Sequence, residues 1–168
     1  MTASQGKGKT AYMGLLLAFA LILSYVESLI PFFFGIPGLK LGLANLAVLL
    51  TMVLCGTKEA LTINIGRIII SSFLFGNMSM LLYSMAGGMV SFLTMFLMQK
   101  TKKFSMTGMS MGGGVFHNVG QLLVAFAVVG TKSIFYYMPV LLAAGLGTGF
   151  LNGVIATAVY PHLPVRKD

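Results

Sequence analysis

The stretch Leu61-Thr62-Ile63-Asn64-Ile65-Gly66-Arg67-Ile68-Ile69-Ile70-Ser71-Ser72-Phe73-Leu74-Phe75 decides how this chain is read. It is apolar enough to lie in lipid, yet it carries an arginine at its centre. Arginine keeps its proton in a protein. Holding that charge at bilayer depth costs a few kcal/mol on insertion scales unless something pairs with it. The partner of Arg67 is therefore the best guide to what the chain does.

The surrounding composition supports a membrane reading. The chain has 168 residues, of which 57% are hydrophobic and 8% charged, whereas soluble domains carry about 25% charged residues. Too little polar surface is left to clothe a soluble globule, and almost nothing remains for a soluble catalytic domain. The net charge of +8 is distributed in the joints between apolar runs, as topology signals are, and not in a patch suited to nucleic acid. A single cysteine, Cys55, excludes an intramolecular disulfide and a cysteine-only metal cage; it reads as an apolar filler at a helix end. Lys7 and Lys9 before an apolar run mimic a signal peptide, but no small-x-small cleavage site follows, so a retained first helix is expected. Gly8-Lys9-Thr10 lacks the upstream glycine and preceding strand of a phosphate-binding loop.

A spanning helix needs about 20 apolar residues. The sequence predicts six: Thr10–Leu29, ended by Pro31; Pro37–Leu54, opened by a proline in the tolerant first turn; a third capped by Thr57 and ending near Gly76, with Glu59 suited to its positive end; a fourth capped by Asn77 and ending at Gln99; Gly108–Val129; and Ile134–Tyr160, with Tyr136, Tyr137 and Pro139 in its first turn. One domain over residues 10–160 is expected, with tails at 1–9 and 161–168. With both termini inside, the cytoplasmic side holds Lys7, Lys9, Lys58, Lys100, Lys102, Lys103, Arg166 and Lys167, and the outside only Lys40 and Lys132. That asymmetry sets the orientation as N-in and C-in.

Small residues recur at helix-packing spacing: Gly145, Gly149 and Gly153 on the sixth helix, Gly14 and Ala18 on the first. They suit either close packing inside the chain or docking of a partner or second copy.

Polar residues gather on particular faces. Asn64, Arg67 and Ser71 share one face of the third helix. His117, Asn118 and Gln121 share one on the fifth, at a depth comparable to Arg67 by the rise per residue. The other helices offer Lys40 and Asn45, Asn152, and Ser24 and Glu27. Glu27 and Lys40, both near the outer side, are expected to pair across the first loop. The chain has three acids, Glu27, Glu59 and Asp168. With Glu27 engaged, Glu59 about two turns away and Asp168 terminal, Arg67 is expected to lack a carboxylate of its own. Three readings stay open: bonds to carbonyl, Asn and Gln oxygens; a positive pocket for an anion or electron-rich ligand; or a proton relay through His117 and Glu27. No second histidine or carboxylate stands at ligand spacing from His117, so no metal is expected.

At these residues the chain resembles a known family. Glu27-Ser28-Leu29-Ile30-Pro31, Pro37-Gly38-Leu39-Lys40-Leu41-Gly42-Leu43-Ala44-Asn45, Asn64-Ile65-Gly66-Arg67, Phe116-His117-Asn118-Val119-Gly120-Gln121 and Gly147-Thr148-Gly149-Phe150-Leu151-Asn152-Gly153 resemble the Gx transporter family, labelled heptaprenyl diphosphate synthase component I. The resemblance covers about residues 11–160. That family is similar to the substrate-binding S components of energy-coupling-factor transporters. It implies an all-α, six-helix membrane bundle in a bacterial plasma membrane, with a small-molecule pocket toward the outer side. A coupling subunit and ATPases would be the partners, docking partly on small residues of the first helix, where Gly14 and Ala18 are a looser match. The label also suggests an isoprenoid setting, with a quinone or prenyl diphosphate as bound molecule. Prenyl diphosphate synthases hold magnesium on aspartate-rich motifs; this chain has a single aspartate, Asp168, so catalysis is not expected.

The expected function is thus a substrate-binding membrane transport protein. Arg67, Asn64, Lys40, Asn45, His117, Asn118, Gln121, Glu27 and Asn152 would form the binding site for a small anionic or amphipathic molecule. The alternatives are a non-catalytic membrane subunit of isoprenoid or quinone metabolism, or a structural scaffold that forms homo-oligomers.

Overall fold

The computed structural model describes residues 3–29 and 42–164. Six α-helices account for nearly all of them: α1 (Ala3–Leu29), α2 (Asn45–Leu54), α3 (Thr57–Phe75), α4 (Met78–Thr101), α5 (Met106–Val129) and α6 (Met138–Val159). Four helical stretches, Lys9–Leu29, Met78–Thr101, Met106–Val129 and Lys132–His162, are long and apolar enough to cross a membrane. Much of their surface is apolar and exposed, as with Leu15, Met78, Leu97, Val128 and Phe150. Such a surface belongs in lipid, because water would penalise it by about 25 cal/mol per Å².

The boundaries follow local chemistry, with several departures from the sequence reading. α1 begins at Ala3, so the expected N-terminal tail is largely helical. Asn77 caps α4 as expected, its side chain accepting from Met80 N at 2.9 Å. Thr57 does not cap α3: it is the first helical residue, after Gly56, and no side-chain cap bond is made. Glu59 does stand in that first turn, and its carboxylate pairs with Lys9 at 3.0 Å, tying α1 to α3. α5 starts at Met106, two residues before the expected Gly108, because Ser105 caps it through Gly108 N. The expected start of the sixth helix is a 3-10 segment, Lys132–Tyr137, which holds Tyr136 and Tyr137; the α-helix begins at Met138.

The largest departure is in the second helix. It was expected from Pro37, and residues 37–41 lie outside the described ones. Gly42 has φ +84, a left-handed conformation that an α-helix cannot pass through and that glycine adopts at little cost. Leu43 and Ala44 make a turn, and α2 runs only from Asn45. Ten residues cover about 15 Å, half a hydrocarbon core. α2 is instead the hub of the molecule. Every residue in it except Val53 is buried, and it touches all five other helices. α5 packs most extensively on α6 and α4, while α1 lies against α3 and α2.

The glycine stripe of α6 explains the α5–α6 contact. A Cβ on Gly145 would stand 2.7 Å from Gly114 O, on Gly149 2.7 Å from Met111 Cα, and on Gly153 2.5 Å from Thr107 Cα. These glycines are buried against α5, which decides between the two readings of the stripe: they pack helices within the chain. Gly14 is different. A Cβ there would meet nothing within 4 Å, and Ala18 is exposed on the same helix.

Two apolar clusters fill the interior. One centres on α2 and includes Leu16, Leu49, Met52, Ile63, Met95 and Ala156. The other holds Tyr83, Leu122, Ala125, Ile134 and Leu141. Along α4, α5 and α6 the buried polar positions Ser84, His117, Gln121 and Asn152 fall between them.

Candidate functional site

The site is built around Arg67, midway along α3 and 4% exposed. Asn64, one helical turn earlier on the same face, turns its Oδ1 to Arg67 Nη2 at 2.9 Å. Asn45, the first residue of α2, brings its Oδ1 to the same nitrogen at 3.1 Å. Asn64 Nδ2 donates to Gly88 O on α4 at 3.0 Å, so the amide joins α3 to α4 as well as to Arg67. The helices approach closely here: a Cβ on Gly88 would lie 2.7 Å from Ile68 Cδ1, 3.3 Å from Asn64 Oδ1 and 3.5 Å from Arg67 Nη2.

A second centre is the Gly42–Leu43 turn. The Glu27 carboxylate of α1 accepts from the N–H of Gly42, and from Leu43 N at 3.2 Å. Asn152 of α6 donates to Gly42 O at 3.2 Å. A Cβ on Gly42 would stand 3.0 Å from Asn45 Nδ2 and 3.4 Å from His117 Cδ2. The turn is thus gripped by α1 and α6 and wedged beside α2 and α5. A side chain at position 42 would crowd Asn45 and adopt an unfavourable φ.

His117 and Gln121 of α5 face α4, where a Cβ on Gly87 would lie 3.0 Å from His117 Cε1 and 2.8 Å from Gln121 Cγ. Asn118, next to His117, turns toward α6 and donates to Leu141 O at 2.6 Å. The face expected to carry His117, Asn118 and Gln121 together is therefore split between two neighbouring helices.

Among the described residues the salt bridge is Lys9–Glu59, and Arg67 forms none, as expected of a side chain with no carboxylate of its own. The Glu27 carboxylate is taken up by the Gly42–Leu43 turn and acts on the guanidinium only through its charge, because α1 packs beside α3. The expected partner of Glu27, Lys40, lies outside the described residues. Of the remaining sequence candidates, Arg67, Asn64 and Asn45 bond directly, Glu27 and Asn152 meet at Gly42, and His117 and Gln121 stand beside them. Gly14 and Ala18 take no part. Sequence reading passed over Gly42, Gly87, Gly88, Ser84 and Ser91. The signal was the Gly87-Gly88 pair flanked by serines at heptad spacing, which places one polar, small-residue face on α4.

The cluster is closed and incompletely bonded. Asn64 and Gln121 are 0% exposed, and Asn45 5%. Arg67 Nε, Asn45 Nδ2, Asn118 Oδ1, Ser84 Oγ and Ser91 Oγ are buried without a hydrogen-bond partner. Buried polar atoms are nearly always paired, so these five, spread over α2, α3, α4 and α5, depart from the usual rule. Two cavities sit at the ends of α3. One of about 150 Å³ lies between Ser72, Gly76 and Leu81; one of about 440 Å³ lies between Lys9, Lys58 and Thr62. Neither is lined by Arg67. No group of His, Cys, Asp and Glu among the described residues could hold a metal.

An apolar helical bundle with a polar centre defines a membrane protein with a buried polar site. The profile of the heptaprenyl diphosphate synthase component I family matches residues 16–159, and the chain belongs to that family. No curated protein and no solved structure matches it.

Proposed function

We propose that this chain is the substrate-binding subunit of a membrane transport system, with its six helices set in the bilayer and both termini in the cytoplasm of a bacterial cell. Its ligand is a small anionic or amphipathic molecule bound at Arg67. The observation that carries this reading is the set of unpartnered polar atoms, led by Arg67 Nε and Asn45 Nδ2, in a cluster fed by every helix. A purely structural arginine in lipid would be expected to use all its donors, since each unpaired one costs about 1–3 kcal/mol. With a single aspartate at its end, the chain lacks the ligands for diphosphate–magnesium chemistry, and we assign it no catalysis. It has no phosphate-binding loop, so ATP-driven transport would rely on partner ATPases and a coupling subunit.

The test is to purify the natural chain and Arg67→Gln in parallel and identify retained small molecules by mass spectrometry. A molecule held in near-stoichiometric amount by the natural chain and lost from the variant is expected. If neither protein retains anything, the binding-site reading is wrong. A second reading, a non-catalytic subunit in isoprenoid or quinone metabolism, is favoured by the family's description. It expects the retained molecule to be a prenyl diphosphate or quinone and the chain to bind a separate prenyl-transferring enzyme.

A further inference from the structure

We infer that the cavity between the Lys9 end of α1 and the Lys58 end of α3 seats the headgroup of a membrane phospholipid, one whose only charge is a phosphodiester. The site stands apart from the Arg67 cluster and does not depend on what Arg67 binds.

The cavity holds about 440 Å³ and is walled by Lys9, Thr10 and Met13 of α1 and by Lys58, Glu59 and Thr62 of α3. On each helix the three residues fall within about one turn, so both helices turn one side to the same space. The Lys9–Glu59 bridge at 3.0 Å ties the two walls together. One turn further along both helices the space closes, because Gly66 lets Leu17 come in: a Cβ on Gly66 would lie 3.6 Å from Leu17 Cδ1. The cavity is thus a recess at the helix ends, with far more room than a bare phosphate fills.

Two lysines against one glutamate leave the lining with one positive charge. Glu59 is committed to Lys9, whereas Lys58 is exposed and forms no salt bridge among the described residues. The Thr62 hydroxyl donates to Lys58 O at 3.0 Å, so the side-chain donor left on the α3 wall is Lys58 Nζ. A phosphodiester brings one negative charge and free oxygens for charge-assisted bonds. A choline or ethanolamine headgroup adds a cation that would meet the lysines, with Glu59 already taken.

The position favours a lipid over a soluble anion. Lys58 lies about 14 Å from Arg67 along α3, close to half of a hydrocarbon core of about 30 Å. With Arg67 near mid-membrane, Lys58 stands where lipid phosphates begin, and its apolar stem lets the ammonium reach them. Basic pockets between membrane helices at this level hold anionic headgroups. One turn on from Thr10, a Cβ on Gly14 would meet nothing within 4 Å, and Leu15 beside it is exposed. An acyl chain therefore has an open apolar wall to follow from the cavity.

Native mass spectrometry of the full chain, stripped of lipid in detergent, reads each lipid that binds. Phosphatidylglycerol, phosphatidylethanolamine and phosphatidylcholine with the same acyl chains are titrated, each with and without millimolar glycerol 3-phosphate. The first phosphatidylglycerol should bind about tenfold more tightly than either zwitterionic lipid, and Lys58→Gln should erase most of that preference. Lys103→Gln removes another exposed lysine, one that lines neither cavity, and should leave the preference intact. Glycerol 3-phosphate should not displace the lipid. The inference is overturned by equal binding of the three lipids, or by a preference that survives Lys58→Gln. It is also overturned if Lys103→Gln lowers the preference as much, since surface charge alone would then explain it. Displacement by glycerol 3-phosphate overturns it as well and makes the cavity a site for a soluble anion.

Discussion

Asn64 does more than any other uncharged side chain to keep Arg67 in place. Its oxygen takes one Nη2 hydrogen and its nitrogen holds the α4 carbonyl of Gly88. Asn64→Leu leaves both groups unpaired in a buried place and should cost about 1–3 kcal/mol, read as an earlier unfolding midpoint in mixed detergent micelles. Asn64→Asp, which retains the acceptor and loses only the Gly88 bond, should recover much of that loss. Arg67→Met tests the scaffold alternative. If Arg67 serves only to bond its neighbours, the variant should fold poorly. If it faces a ligand, the variant should fold with little loss and fail to retain a bound molecule. Arg67 and Asn64 were legible in the sequence because a helix brings residues three apart to one face. Glu27 was not, because nothing local ties position 27 to position 67; the link exists only once α1 packs on α3.

At the scale of elements, glycines decide which helices can touch. Gly114 and Gly147 make a matched pair. A Cβ on Gly114 would collide with the carbonyl of Gly145, whereas one on Gly147 meets nothing within 4 Å. Gly114→Ala should force α5 and α6 apart at a cost of about 1–3 kcal/mol. Gly147→Ala should be neutral or slightly stabilising, since it also raises helix propensity. Comparing the two unfolding midpoints isolates close packing from propensity. Removing a cap has a smaller effect: Asn77→Ala loses the bond to Met80 N and should cost about 1 kcal/mol. The spacing of Gly145, Gly149 and Gly153 announced a packing stripe, but not against what. Close packing of backbones is symmetric in its requirement for small residues, and a sequence does not say whether the facing backbone is its own.

At the scale of the whole molecule, orientation is open to direct test. In a Cys55→Ala background, Ser133→Cys should react with a membrane-impermeant thiol reagent on intact cells, and Thr101→Cys only after permeabilisation. The opposite pattern would reverse the proposed topology. Composition alone argued for a membrane protein, because 8% charged residues clothe a soluble surface of this size poorly, and four helical stretches are long and apolar enough to cross a bilayer. The apolar runs located most of the helices, though not the start of the second or the sixth, because lipid leaves backbone groups no partner but each other. Charge distribution argued for an orientation on the same electrostatic ground. What the tertiary structure alone decided lies in the gaps between helices. It shortened α2 and made it a buried hub, since Gly42 turns the chain with φ +84 and is gripped by Glu27 and Asn152. It split His117 from Asn118, set the Glu27 carboxylate on the Gly42 turn, and spent both hydrogens of Nη2 while leaving Nε unmet. Those outcomes depend on which side chains meet across helices, and such meetings are set by packing rather than by any spacing along the chain.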